Sequence, residues 1–104
     1  MYKFRVRTRH DRGIINIYTH AMSEEAAKLI VMASERCPER SILAVSIVPT
    51  AREKQTIRHQ WRTMKLKFMA NGELHASKGG AYGLLLTCNQ LNETIKAMRR
   101  NNGS

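Results

Sequence analysis

The 104-residue sequence predicts a single small basic α+β domain covering residues 1–104, and three observations carry that expectation. An alternating segment, a turn, a helical stripe and an apolar run succeed one another over the first half, which reads ββαβ: hairpin, helix, central strand. A capping-box sequence then opens a short helix that leads into an Asn-Gly hairpin. A second capping box opens a C-terminal helix. The strands are expected to lie in one mostly antiparallel sheet with the helices packed on it.

The first strand is the clearest element. Tyr2, Phe4, Val6 and Thr8 alternate with Lys3, Arg5, Arg7 and Arg9, the period-2 pattern of a strand with one buried face. Its other face is a ladder of four cations spaced roughly 7 Å apart. His10-Asp-Arg-Gly13 is turn chemistry, with Gly13 free to take positive φ, and Ile14 to Thr19 reads as the returning strand. Ser23 caps a helix whose first turn holds Glu24 and Glu25, favourable at the positive end of the helix dipole. Ala26, Leu29, Ile30 and Ala33 form the helical stripe expected to lie on the sheet, Val31 and Met32 widen it, and Glu24 and Lys28 are spaced as an i, i+4 pair. Pro38 ends the helix near Arg36 or Cys37. Ile42 to Val48 is nearly continuous in apolar character, the pattern of a central strand buried on both faces.

In the second half, Thr50-x-x-Glu53 and the spacing of Ile57, Trp61 and Met64 predict a helix from about residue 51 to 59 or 61. Met64, Leu66, Phe68 and Ala70 then alternate with Lys65, Lys67 and Met69, so the change from helix to strand falls near Arg62. Asn71-Gly72 predicts a type I′ turn, and residues 73–77 return as a short strand. Residues 78–83, with two adjacent glycines, read as a flexible connector, and Leu84-Leu-Leu86 as a buried strand end or helix lead-in. Thr87-x-x-Gln90 caps a helix carrying Leu91, Ile95 and Met98 to about Arg100, and Asn101-Asn-Gly-Ser104 reads as a frayed tail whose Gly-Ser resembles a cloning scar.

Eighteen Lys and Arg against eight Asp and Glu leave a formal charge of +10. Solubility alone is served by a charge of roughly 2 to 8, and excess charge destabilises a compact chain. A polyanionic partner is therefore expected. Two segments concentrate the charge: Lys3, Arg5, Arg7, Arg9 and Arg12 in the hairpin, and Arg52, Lys54, Arg58, Arg62, Lys65 and Lys67 in the middle of the chain. Arg suits phosphate because its planar fork makes paired hydrogen bonds to phosphate oxygens. A cation or two would protect a sheet edge, and the hairpin holds five. Trp61 lies among the second set, but its spacing with Ile57 and Met64 marks it as core.

Catalytic and metal chemistry find little support. His10, His20, His59 and His75 have no metal-ligand spacing with each other or with Cys37 and Cys88, and no cofactor is expected. Gly79-Gly80 lacks the spacing and the Lys-Ser/Thr pair of a phosphate loop. The two cysteines read as buried, reduced thiols of a cytoplasmic protein. The chain begins directly on its charged strand, without the pattern of a signal peptide, and no apolar run is long enough for a bilayer. No membrane association is expected.

The leading expectation is a non-enzymatic nucleic-acid-binding accessory protein, taking DNA or RNA by its phosphate backbone through the two basic segments. In size, charge and ββαβ opening the chain also resembles, in a general way, accessory proteins of phages and plasmids, among them small inhibitors of bacterial defence complexes. That likeness rests on no specific motif and transfers no residue; it implies, as the alternative, an inhibitor or adaptor docking on a host nucleic-acid-processing or defence complex. A third expectation, a small basic ribonuclease-like toxin, would use His59, Arg62 and Tyr82 in general acid–base chemistry. If strand one lies at a sheet edge, it offers a route to a homodimer.

Overall fold

The computed structural model describes residues 1–102 and divides into two compact units, residues 1–48 and residues 49 onward. The expected α+β class is observed. The strands are antiparallel throughout and form two three-stranded sheets in place of one.

Unit 1 contains β1 (Tyr2–His10), β2 (Gly13–Ala21), α1 (Glu24–Glu35) and β3 (Ile42–Ile47). Asp11 and Arg12 turn the hairpin, so that His10 pairs with Gly13 and Arg5 with Tyr18, and Gly13 has φ +124°. The sheet order is β2-β1-β3. This corrects two expectations: strand one is central, and the apolar third strand lies at an edge. Phe4, Val6 and Thr8 are buried on the side covered by α1, and complete burial of Phe4 or Val6 is worth about 1.5–3 kcal/mol each. The Thr8 hydroxyl donates to the Val6 carbonyl at 3.3 Å, so its burial leaves no orphaned donor. On β3, Ser46 and Ile47 are buried and Leu43 is exposed, next to a bulge opposite Arg7 and Thr8.

The α1 stripe is rotated from its expected place. Ala27 and Val31 are the buried residues, while Leu29 and Ile30 are exposed. Lys28 bonds the carboxylates of Glu39 at 2.7 Å and Glu25 at 3.3 Å, so the observed ion pairs of Lys28 reach one turn back and across to the segment before β3. Lys28 is held above its ordinary pKa by the Glu39 hydrogen bond, and Glu39 below its own by the same contact. The helix ends with Arg36 in the left-handed conformation at φ 51°, two residues before Pro38.

Unit 2 contains α2 (Ala51–Gln60), β4 (Lys65–Phe68), β5 (Leu74–Ser77), β6 (Gly83–Leu86) and α3 (Cys88–Asn102), with sheet order β4-β5-β6. Ile57, Leu74, Leu91 and Ile95 are buried, and Trp61 and Met64 are half-buried. Both capping boxes form. Thr50 and Glu53 exchange backbone-to-side-chain bonds of 2.8 and 3.1 Å, and Thr87 and Gln90 do so at 2.9 and 3.2 Å.

The β4–β5 hairpin is present, but its turn differs from the type I′ expected. The Gly72 amide donates to the Met69 carbonyl at 3.0 Å, Gly72 alone takes positive φ (89°), and the Asn71 side chain accepts from the Glu73 amide. Three loop residues with glycine last is the type I turn plus bulge, which needs one left-handed residue where type I′ needs two. Residues 78–82 form a closed turn, with Ser77 and Gly80 hydrogen-bonded both ways. Leu84 to Leu86 take the strand alternative, although Leu84 is exposed where burial was expected. The expected tail at Asn101 and Asn102 is instead the last turn of α3; Gly103 and Ser104, read as a scar, lie outside the described residues.

Candidate functional site

In unit 1 the basic ladder is assembled on one sheet face, with Lys3 and Arg9 exposed and Arg5 and Arg7 half-buried. Alternation places Lys3, Arg5, Arg7 and Arg9 on the side of β1 away from Phe4 and Val6. The three strands contain no Asp or Glu at all, and four of the five acids of this unit (Glu24, Glu25, Glu35 and Glu39) sit in α1 and the turn after it. The charged side chains that the strands place on this face are therefore all cationic. Arg7 is directly opposite Asn16 and donates to its side-chain oxygen at 3.5 Å. Arg12, the fifth residue of this segment, is exposed at the hairpin turn.

One residue that composition did not single out belongs to this face. Tyr18 pairs with Arg5, is 53% exposed, and carries the Lys3 ammonium 5.4 Å from its ring centre. The arrangement is a cation–π contact beside a row of arginines. The hairpin register held the signal: a two-residue turn at 11–12 fixes Arg5 against Tyr18.

In unit 2 the six cations of the second segment are divided among four places. Arg58, Arg62 and Lys65 line one open cleft of about 610 Å³, together with Gln55, His59, Met64, Leu66 and Tyr82. Lys54 and Arg58 lie over the Phe68 ring at 5.5 and 5.1 Å. Lys67 stands 5.9 Å from the ring centre of Tyr82, which is 47% exposed. Arg52 faces a different cavity, shared with Thr50, Glu53, Thr56, Met98 and Arg99.

Glu53 is the single acid of residues 50–72, and its carboxylate is fully engaged. Arg99 Nε and Nη2 donate to its two oxygens at 2.7 and 2.9 Å, and the Thr50 amide donates at 2.8 Å. The Arg99 guanidinium holds Glu53 below its ordinary pKa, with burial opposing and the Thr50 bonds assisting. Arg99 thus joins α3 to the start of α2 in addition to complementing the dipole of its own helix. Glu73 is likewise held low, first by His75 at 3.0 Å and then by Asn71.

His59, Arg62 and Tyr82 all line this cleft. Among the described residues no group of three or more His, Cys, Asp or Glu side chains is placed to hold a metal ion. Cys37 and Cys88 are free of any disulfide and half-buried, where full burial was expected. Among the described residues no helix is long and apolar enough to cross a membrane. Comparison with protein-family models, curated proteins and solved structures returned no match to this chain.

Proposed function

We propose that this protein binds nucleic acid without cleaving it, gripping the phosphate backbone with two cationic surfaces. The observation that carries the reading is the acid-free sheet face of unit 1, where Lys3, Arg5, Arg7 and Arg9 stand in one row with Tyr18 exposed beside them. Cations spaced along a strand can track successive phosphates, and an exposed ring offers a platform for an unstacked base. Arg58, Arg62 and Lys65 around Tyr82 supply the same two ingredients in unit 2.

The test is affinity for short labelled duplexes and single strands across a salt series. Each neutralised duplex phosphate contributes about −0.9 to the log–log slope, and each single-strand phosphate about −0.7. Exchanging Lys3, Arg7 and Arg9 for Gln should weaken binding to all sequences alike and flatten the slope by roughly one per cation removed. Affinity that stays flat between low and physiological salt refutes the reading. A protein partner recovered from lysate even after nuclease digestion would favour the inhibitor or adaptor alternative.

A second reading has one observation behind it, the shared cleft of His59, Arg62 and Tyr82. Imidazole and phenol are competent proton-transfer groups, and a neighbouring guanidinium can hold a phosphate. Cleavage of labelled RNA that is lost in His59→Ala would establish it; intact RNA supports the binding reading.

A further inference from the structure

We infer that the outer face of α2 reads base edges in the major groove of duplex DNA. This role rests on the nucleic-acid reading above and adds sequence recognition to a grip that is otherwise electrostatic. Arg52, Gln55, Thr56, His59 and Gln60 recur at i, i+3, i+4, i+7 and i+8, on the side of the helix away from buried Ile57. All five are exposed, and together they line one open hollow of about 520 Å³.

The chemistry of this face differs from that of the other two helices. In α1 and α3, cations pair with acids one turn away on the same helix, Lys28 with Glu25 and Lys96 with Glu93. The one acid of α2, Glu53, is turned to Arg99 and to the Thr50 amide. The outer face is left without a carboxylate and without a large apolar side chain. Among the described residues, the side chains of Arg52, Gln55, His59 and Gln60 have no hydrogen-bond or ion-pair partner, while the Thr56 hydroxyl donates to the Arg52 carbonyl at 3.0 Å. Their donors and acceptors are free for a ligand.

These are the groups that base edges select. Arg makes paired hydrogen bonds to guanine O6 and N7, Gln does so to adenine N6 and N7, and Thr meets either base or the thymine methyl. Neutral imidazole offers one ring nitrogen as donor and the other as acceptor. Neutral Gln and Thr add little to a backbone grip, which depends on charge. The size also fits: the helix is about 15 Å long and the major groove about 12 Å wide. Residues 52 to 60 advance about 12 Å, the rise of about three to four base pairs. Arg58, Arg62 and Lys65 line the cleft that Gln55 and His59 share, which puts cations beside the reading face, where the phosphates bordering a groove would run. Side chains cannot read the deep, narrow major groove of duplex RNA, so DNA is the occupant.

The experiment is selection of bound duplexes by the full chain from a random-sequence DNA pool. Anisotropy titrations then compare the selected duplex, a scrambled duplex and the RNA duplex of the selected sequence. A motif of about three to four base pairs containing G and A should emerge, bound roughly a hundredfold tighter than the scrambled duplex, the product of two bidentate contacts at roughly tenfold each. Arg52→Gln and Gln55→Ala, with native circular dichroism, should each lower that ratio roughly tenfold. Lys65→Gln should weaken both duplexes by the same factor and keep the ratio. Equal affinity for all duplexes overturns the inference and leaves the electrostatic grip standing, whereas loss of all salt-dependent binding removes both. A ratio indifferent to Arg52→Gln and Gln55→Ala, or an RNA duplex bound as tightly as the selected DNA, also overturns it.

Discussion

The two units are basic in different ways. Unit 1 has eight Lys and Arg against five Asp and Glu, a net +3, while residues 49–104 have ten against three, a net +7. The less charged unit nevertheless presents the more ordered cationic surface, because its acids are confined to the helix layer and turn and its strands have none. In unit 2 the larger excess is dispersed: two cations lie over Phe68, one over Tyr82, and Arg99 is spent on Glu53. Net charge counts residues; a binding surface depends on which side of an element they leave from.

The largest expected effect separates the two cores. Phe4→Ala should cost about 3–5 kcal/mol and Leu74→Ala about 2–5 kcal/mol, both being fully buried. Measured by urea unfolding with hydrogen exchange, the first should cost β1–β3 their protection and the second β4–β6. Equal loss in both sheets from either substitution would break the comparison.

A smaller effect tests whether Glu53 and Arg99 tie unit 2 together. Arg99→Met should destabilise by about 2 kcal/mol, the scale of a charge-assisted hydrogen-bond pair. The pH dependence has a definite sign. Glu53 is held below its ordinary value of 4.5, so its stabilisation is complete above that value and disappears as pH falls through the lowered one. Unfolding free energies across acid pH should show this loss in the native chain and much less of it in Arg99→Met.

The smallest effect compares the two exposed rings. Tyr18→Ala and Tyr82→Ala should each cost about 1 kcal/mol of single-strand affinity, the low end of base–aromatic stacking, and leave duplex affinity nearly unchanged. If only one substitution registers in an anisotropy titration, that unit alone contacts bases.

Much of this is legible in the sequence. Strong local signals survived: the β1 alternation, both capping boxes, the helix-to-strand change after Trp61. Errors arose where the deciding interaction is distant in sequence. The apolar run of β3 suggested a central strand, but strand order depends on which neighbour β1 accepts. The α1 helix lies on the sheet as expected, but the face it buries is that of Ala27 and Val31, since periodicity tells which residues align and not which face is covered. Asn71-Gly72 suits a type I′ turn, yet positive φ at Gly72 alone suffices. Of the site residues, the β1 row stayed together because one strand fixes it, whereas the second segment crosses a helix, a turn and a strand and was parted by them.

The basic ladder has one more consequence, concerning assembly. Side chains alternate across a strand, so a slip of one residue would drive Lys3, Arg5, Arg7 and Arg9 beneath α1 and turn Phe4 and Val6 to water. An unpaired cation buried there would cost several kcal/mol. A misaligned hairpin is thus rejected by its own charges, and the four cations proofread the fold that displays them.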